Sequence, residues 1–266
     1  MFKTRLISGI VLVLILIGTV GYGGNVLFAL LAIVSLIGMS ELYKVVHVEK
    51  TLMGCVGYLA CIGYYITLLL GKPDYTLFVA IVFLVLLMAV YVFSYPTYRS
   101  EQVMCTYFGL FYVGVMLSFV YKTRMLQGGA IIVWLIFLSS WGCDTCAYCA
   151  GVLLGKHKMA PKLSPKKSVE GAVGGVIGAA LLGVIFAVAS NYFMGGDNSP
   201  LFFAIICAVG GLISMVGDLA ASAIKRNHDI KDYGTLIPGH GGILDRFDSV
   251  IFTAPIIYYL ATFMMI

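Results

Sequence analysis

Residues 75–94 have the sequence YTLFVAIVFLVLLMAVYVFS, which contains no charged side chain. A helix rises 1.5 Å per residue, and about 20 apolar residues cross the hydrocarbon core of a bilayer. The run is therefore predicted to be a transmembrane helix. The whole chain of 266 residues is 61% hydrophobic and 11% charged, whereas soluble domains have about 25% charged residues. These values predict an integral membrane protein.

Eight further apolar stretches accompany this run, separated by glycine, proline or charge. They lie at 6–21, 25–43, 52–71, 104–121, 129–152, 171–193, 200–222 and 249–266. We therefore predict an all-α fold, a polytopic bundle of about nine transmembrane helices in one integral domain, 1–266. Within it, residues 1–125 hold the amino-terminal helices and residues 126–266 the catalytic half. The glycine-rich link at 21–25 leaves eight full spans open, because the first two stretches can also form a tight or partly re-entrant hairpin.

The distribution of basic residues predicts the orientation. With a cytoplasmic amino terminus and nine spans, basic residues concentrate on the cytoplasmic side, and only Lys72, Lys122 and Arg124 lie outside. The positive-inside rule favours this arrangement. The net charge of +5 is thus attributed to topology and not to a nucleic-acid partner. We expect a protein of the bacterial cytoplasmic membrane whose amino terminus and active site face the cytoplasm.

Acidic residues in the apolar helices are candidates for chemistry. A carboxylate at the centre of a bilayer helix costs about 2.5–3.5 kcal/mol. Asp144 and Asp218 lie within apolar stretches, and Asp245 and Asp248 begin the last helix. Carboxylate oxygens suit Mg²⁺, so a nucleotide–metal site is predicted. Asp144 as a helix-packing carboxylate, and Asp245 and Asp248 as a solvated helix start, remain alternatives.

Polar segments in the second half could bind phosphate. The basic segment 155–171, GKHKMAPKLSPKKSVEG, could hold a triphosphate, or could serve only as a topology determinant near anionic lipid. Ser222 follows Asp218 by four residues and shares its helical face. In 238–242, PGHGG, successive amides could form an anion-binding nest, and His240 could donate to phosphate or cap the next helix. Glycines at 171, 174, 175 and 178 predict close helix packing, and the cysteines are interpreted as packing residues, not zinc ligands.

The segment Ser222–Asp248 closely resembles the signature of the phosphatidate cytidylyltransferases, also called CDP-diacylglycerol synthases. The shared elements are Ser222, Lys225-Arg226, Lys231-Asp232, His240-Gly-Gly242, Asp245-Arg246 and Asp248, with Asp144-x-x-Ala-Tyr148, Gly155-Lys-His-Lys158 and residues 163–171 upstream. The resemblance implies an all-helical homodimer that binds CTP with Mg²⁺, and with K⁺ as a candidate second metal. It also implies transfer of the cytidylyl group to phosphatidic acid held in the lipid bilayer.

The resemblance also suggests residue roles. Metal ligands would be Asp144, Asp218, Asp245 and Asp248, and the catalytic set would be Asp218, Asp245, Asp248, Lys225 and Arg246. Substrate would contact Ser164, Lys166, Lys167, Ser222, Arg226, Lys231, His240, Gly241 and Gly242. Three other functions remain open: a CTP-dependent transferase acting on another lipid, a CTP-dependent lipid kinase, and an ion-coupled transporter whose intramembrane acids mark an ion path.

Overall fold

The structure, a computed structural model, describes residues 2–72 and 74–264. The side chains of Lys3 and Arg5, which contribute to the orientation argument, lie outside the described residues. This part of the chain holds nine helices. They are α1 (Phe2–Tyr22), α2 (Gly24–Val45), α3 (Leu52–Leu69), α4 (Tyr75–Phe93), α5 (Ser100–Arg124), α6 (Gly129–Leu154), α7 (Val169–Met194), α8 (Pro200–Asn227) and α9 (Leu244–Met264).

The nine predicted apolar stretches correspond one to one with these helices, which confirms the all-α helical bundle. The end of the last stretch, at 265–266, lies outside the described residues. Helices α2–α8 are each long and apolar enough to cross a membrane. The part of α1 whose side chains are described, Leu6–Tyr22, is apolar but shorter than these seven helices, and α9 is not among them. Gly23 and Gly24 have φ of +70° and +50°, and this left-handed backbone separates α1 from α2.

The chain divides into two compact units that interleave in sequence. Unit 1 contains residues 1–118 and 232–245, and unit 2 contains residues 119–231 and 246–266. The segment Asp232–Asp245 therefore belongs with the amino-terminal helices, although it lies in the second half of the sequence. The predicted single domain and its division after residue 125 stay predictions.

The core of unit 1 forms around Tyr43 on α2, whose side chain is fully buried. Its hydroxyl donates to the carbonyl oxygen of Thr106 at 2.8 Å, so the buried polar group has a partner. A Cβ at Gly109 would lie 2.6 Å from the Tyr43 ring, and one at Gly57 would meet its hydroxyl. Glycine at both positions therefore allows α3 and α5 to approach the tyrosine.

In unit 2, α6 and α7 pack through the glycines singled out in the sequence. A Cβ at Gly175 would lie 2.8 Å from the Cβ of Ala147 and 3.0 Å from the sulfur of Cys143. Similar clashes would occur at Gly171, Gly174 and Gly178. The predicted role of these glycines in close helix packing is confirmed.

A π-helical turn, Leu138–Gly142, widens α6 just before Asp144. The hydroxyl of Ser139 donates to the carbonyl of Leu135 at 2.6 Å, and Ser140 makes the equivalent bond to Ile136. Such back-bonding perturbs helix geometry, and π turns recur at functional sites. The turn ends two residues before Asp144 and makes this part of α6 a candidate functional region.

The basic segment 155–171 contains a short hairpin. Strand β1 (Lys158–Ala160) pairs in antiparallel fashion with β2 (Ser164–Ser168). Glu170 closes the hairpin, since its carboxylate accepts from the backbone N–H groups of Lys156 and His157 at 3.0 and 3.2 Å. Two strands are thus added to an otherwise helical fold.

Candidate functional site

Three carboxylates in unit 2 interact electrostatically, although they come from three helices. Asp144 lies on α6, Asp218 on α8 and Asp248 on α9. Asp218 repels both Asp144 and Asp248, and these two also repel each other. Asp248 is 8% exposed. Like charges in a poorly hydrated region need compensating cations, so this cluster requires nearby positive charge.

Basic side chains of the same unit supply that charge. Lys167, in β2, forms an ion pair with Asp218, and both side chains are about a quarter exposed, at 25% and 27%. Lys167 also attracts Asp144. Lys225 attracts Asp248, and Arg246 attracts Asp144. The cluster therefore contains three acids and three bases. All six were among the site residues predicted from the sequence.

The position of Lys167 follows from the hairpin and from the cap of α7. The hydroxyl of Ser168 accepts from the backbone N–H of Gly171 at 3.1 Å, as an N-cap residue does. A Cβ at Gly155 would lie 2.7 Å from that hydroxyl. Because Ser168 is fixed in this way, the preceding Lys167 is held at the start of α7 with its ammonium group at Asp218.

Hydroxyl and aromatic groups further organise the cluster. The Ser222 hydroxyl donates to Asp218 at 3.4 Å, which confirms their shared helical face. Ser249 donates its backbone N–H to Asp248 at 2.7 Å. Trp141 donates its indole N–H to the carbonyl of Arg246 at 3.2 Å. The bond from Trp141 links α6 to the start of α9.

The carboxylates of this cluster are of the ligand type that Mg²⁺ prefers. Within the described residues, no group of three His, Cys, Asp or Glu side chains is placed to hold one ion. Protein Mg²⁺ sites commonly use only one or two carboxylates, together with waters and substrate phosphates. Asp144, Asp218 and Asp248 are hard oxygen donors that repel one another. Their chemistry therefore fits a nucleotide-bound Mg²⁺, and their role as ligands stays a prediction.

Asp245 has neighbours of a different kind, within unit 1. Its side chain is 7% exposed. Its Oδ2 atom accepts from the backbone N–H groups of Tyr233 and Gly242, at 2.8 and 2.9 Å. This carboxylate therefore shapes the segment Asp232–Asp245. Its predicted metal ligation stays a prediction.

The predicted glycine-rich nest is largely bonded to the protein itself. The amide of Gly242 donates to Asp245, and the amide of His240 donates to the carbonyl of Ile237 at 2.9 Å. The Nδ1 atom of His240 lies 2.9 Å from the hydroxyl of Ser8 on α1. His240 is thus tied to the first helix, a contact that the sequence did not predict. Phosphate binding by His240, Gly241 and Gly242 stays a prediction.

The remaining predicted substrate contacts lie at the surface. Lys166, Arg226 and Lys231 are exposed, and Ser164 is partly buried at the start of β2. Arg226 donates to the carbonyl of Ile230 at 3.3 Å. Their proposed contacts with substrate phosphates stay predictions.

Glu41 is a buried acid that the sequence analysis missed. It lies on α2 and is 8% exposed. Its carboxylate accepts from the backbone N–H groups of Ile243 and Leu244, at 3.0 and 2.8 Å. Glu41 also falls within an apolar stretch, and this feature, which identified Asp144 as a candidate, could have identified Glu41 as well. Its partners, 202 and 203 residues further on, could not be inferred from local sequence.

Comparisons with known proteins agree with the resemblance noted in the sequence. Residues 3–264 match the cytidylyltransferase family. A phosphatidate cytidylyltransferase of Staphylococcus aureus (strain COL) is 31% identical over 263 residues, which cover 97% of this chain and 98% of that protein. Proteins with the same name from Bacillus subtilis and Haemophilus influenzae are 31% and 35% identical over 67% and 52% of the chain. The matched parts span 65% and 48% of those two relatives.

Proposed function

Because the chain belongs to the cytidylyltransferase family, we propose that it is a CTP:phosphatidate cytidylyltransferase. It would convert CTP and phosphatidic acid into CDP-diacylglycerol and pyrophosphate. The observation that carries the proposal is the cluster of three acids and three bases in a family member with apolar membrane-spanning helices. The similarity to the S. aureus protein over 97% of the chain supports the same substrates.

The proposed chemistry needs little acid–base catalysis. A phosphate monoester has a second pKa of about 6, so phosphatidate is largely dianionic at neutral pH. One of its oxygens attacks the α-phosphorus of CTP, the bond from that phosphorus to the bridging oxygen breaks, and pyrophosphate leaves with the electron pair. No proton has to be removed from the nucleophile. The protein's task is to align the reactants and neutralise their charge.

Residue roles follow from charge and position. Asp144, Asp218 and Asp248 would hold Mg²⁺, which when bound neutralises phosphate charge and orients the reacting groups. Lys167, Lys225 and Arg246 would bind phosphate oxygens through charge-assisted hydrogen bonds. Lys167 can exchange Asp218 for a phosphate oxygen, because its flexible side chain reaches more than one position.

The location of the reaction is part of the proposal. Phosphatidate stays in the bilayer while CTP is dissolved, so the two substrates must meet at a membrane surface. The positive-inside pattern supports the cytoplasmic surface of a bacterial inner membrane. Protease accessibility of the hairpin at residues 158–168 in sealed vesicles of either orientation tests this point. The homodimer is also proposed, and the mass of the detergent-solubilised particle tests it.

Label transfer tests the activity itself. Purified protein is incubated with phosphatidate, Mg²⁺ and CTP labelled on the α-phosphate, with EDTA as the control. Metal-dependent label in the organic phase is expected. Label appearing there only from γ-labelled CTP would instead indicate a CTP-dependent kinase. Folded protein that labels no phosphatidate from either nucleotide contradicts the proposal, and other lipid phosphates would then be tested as acceptors.

A further inference from the structure

Glu41 connects the amino-terminal helices to the segment that carries the family signature. It lies near the end of α2, and its carboxylate is almost completely buried. An acid within an apolar helix is costly unless it is compensated. Here the compensation comes from backbone N–H groups far along the chain, at Ile243 and Leu244.

These two N–H groups mark the beginning of α9. Ile243 precedes the helix and Leu244 is its first residue. The first N–H groups of a helix lack partners within it, and the positive end of the helix dipole favours an anion there. Each carboxylate oxygen of Glu41 accepts one of the two bonds. Glu41 therefore caps α9 from another helix, which its neutral amide analogue could do only in part.

Two glycines of the signature segment lie directly against this carboxylate. A Cβ at Gly234 would lie 2.5 Å from Oε1 of Glu41, and a Cβ at Gly242 would also collide with the carboxylate. Glycine at both positions is explained by the close approach of Glu41. Asp245 accepts two further backbone bonds, from Tyr233 and Gly242. Two acids thus fix four backbone N–H groups of one segment.

We propose that Glu41 is a positioning residue for the transfer reaction. By capping α9 and supporting Gly234 and Gly242, it holds the segment Asp232–Asp245 in the conformation needed for turnover. Predicted site residues His240 and Asp245 lie on this segment. The inference rests on the proposed function. It assigns a functional role to the amino-terminal half, in which the sequence analysis placed no site residue.

The test compares Glu41→Gln with a matched control. Glutamine keeps the shape and one oxygen, but its NH₂ group faces the second N–H. Small displacements of reacting groups can cost about 100-fold in rate, so kcat should fall by about 10- to 100-fold with little change in KM. Glu101→Gln changes an exposed acid in the first turn of α5 and should keep wild-type kinetics. Wild-type kcat in Glu41→Gln overturns the proposal.

Two further variants separate positioning from folding. Glu41→Asp retains both carboxylate oxygens on a shorter side chain and should recover part of the kcat lost in Glu41→Gln. Gly234→Ala presses on the same carboxylate and should lower kcat, and its effect should not add to that of Glu41→Gln. Activities are normalised to folded protein after size exclusion. Independent, additive effects of Gly234→Ala and Glu41→Gln contradict the proposal.

Hydrogen exchange distinguishes failure of this inference from failure of the proposed function. In Glu41→Gln, the amides of Ile243 and Leu244 should exchange faster than in the wild type, while the amides of α6–α8 keep their protection. This readout does not depend on any substrate. If the wild type transfers no label to phosphatidate, the proposed function fails. The exchange result still tests whether Glu41 caps the start of α9. Unchanged exchange at both amides overturns the positioning role.

Discussion

Two sets of carboxylates differ in what they contact. In unit 1, Glu41 and Asp245 accept hydrogen bonds from backbone N–H groups. In unit 2, Asp144, Asp218 and Asp248 repel one another and are balanced by basic side chains. A backbone amide is a fixed partner, whereas a side-chain cation can be exchanged for a metal or a substrate. Asp248 is as buried as Glu41 and Asp245, so the identity of the partner, more than burial, distinguishes acids that shape the chain from acids available for chemistry.

The largest expected effect of a substitution is on turnover, in unit 2. Asp144→Asn and Asp248→Asn each remove a negative charge from the cluster that would hold Mg²⁺. Losing one electrostatic contact to a transition state costs about 10²–10³-fold in kcat, and we expect this range for both variants. Initial rates of CDP-lipid formation provide the measurement. Asp197→Asn, at an exposed site of the same unit, is the control and should keep full activity. Near-normal rates in both cluster variants would contradict the assignment of the unit 2 carboxylates to the chemistry.

A smaller loss is expected when a basic partner is removed. Lys167→Met keeps the length of the side chain but removes its charge at Asp218. We expect kcat/KM for CTP to fall by about 10- to 100-fold, within the 1.5–3 kcal/mol typical of a hydrogen bond to a charged group. Titration of CTP at saturating phosphatidate measures this ratio. Lys72→Met, at an exposed position of unit 1, should leave it unchanged. If both variants behave alike, Lys167 has no special role.

For stability, the expected ranking is opposite to that for turnover. A substitution in the unit 1 set should destabilise the fold more than one in the unit 2 set. Asp245→Ala leaves the N–H groups of Tyr233 and Gly242 without their acceptor, at about 1–3 kcal/mol each. Asp218→Ala removes the ion pair with Lys167 but also removes repulsion from the neighbouring acids, so its effect on unfolding should be smaller. Thermal unfolding in detergent should therefore give a lower Tm for Asp245→Ala than for Asp218→Ala. The reverse order would mean that the unit 2 cluster is primarily structural.

The smallest expected effect is stabilisation by the metal alone. An ion that binds only the folded state at ten times its Kd stabilises by about 1.4 kcal/mol. Mg²⁺ should raise the Tm of the wild type and of Glu41→Gln, and EDTA should reverse the shift. Asp218→Asn should show a reduced shift, since it lacks one proposed ligand charge. Equal shifts in all three proteins would place the metal elsewhere.

Features governed by local sequence were predictable. Nine apolar stretches correspond to nine helices in residues 2–72 and 74–264, because helix length and hydropathy can both be inferred directly from the sequence. The glycines of α7 pack against α6 because small residues at helical spacing form one face. Ser222 shares a face with Asp218 because four residues complete about one turn. The family could be recognised because its signature is long and continuous.

Features that depend on distant partners were not predictable. The hairpin at residues 158–168 lacks the alternation of apolar and polar residues that indicates a strand. Its backbone pairing depends on the hydrogen bonds of Ser168 and Glu170. Lys166 and Lys167 were both predicted to contact substrate, but only Lys167 is partly buried and paired with Asp218. Glu41 was missed because its partners lie more than 200 residues away and are backbone atoms, which carry no side-chain signature.

Metal substitution in an Asp218→Cys variant tests the central claim most directly. Thiolate is a poor ligand for Mg²⁺ but a good one for softer ions such as Cd²⁺. The account predicts that this variant transfers little label from α-labelled CTP to phosphatidate with Mg²⁺, and that Cd²⁺ restores part of the transfer. Wild-type protein and Glu41→Cys, measured alongside, should gain nothing from Cd²⁺. Near-normal transfer by Asp218→Cys with Mg²⁺ alone would contradict a metal-binding role for the unit 2 carboxylates.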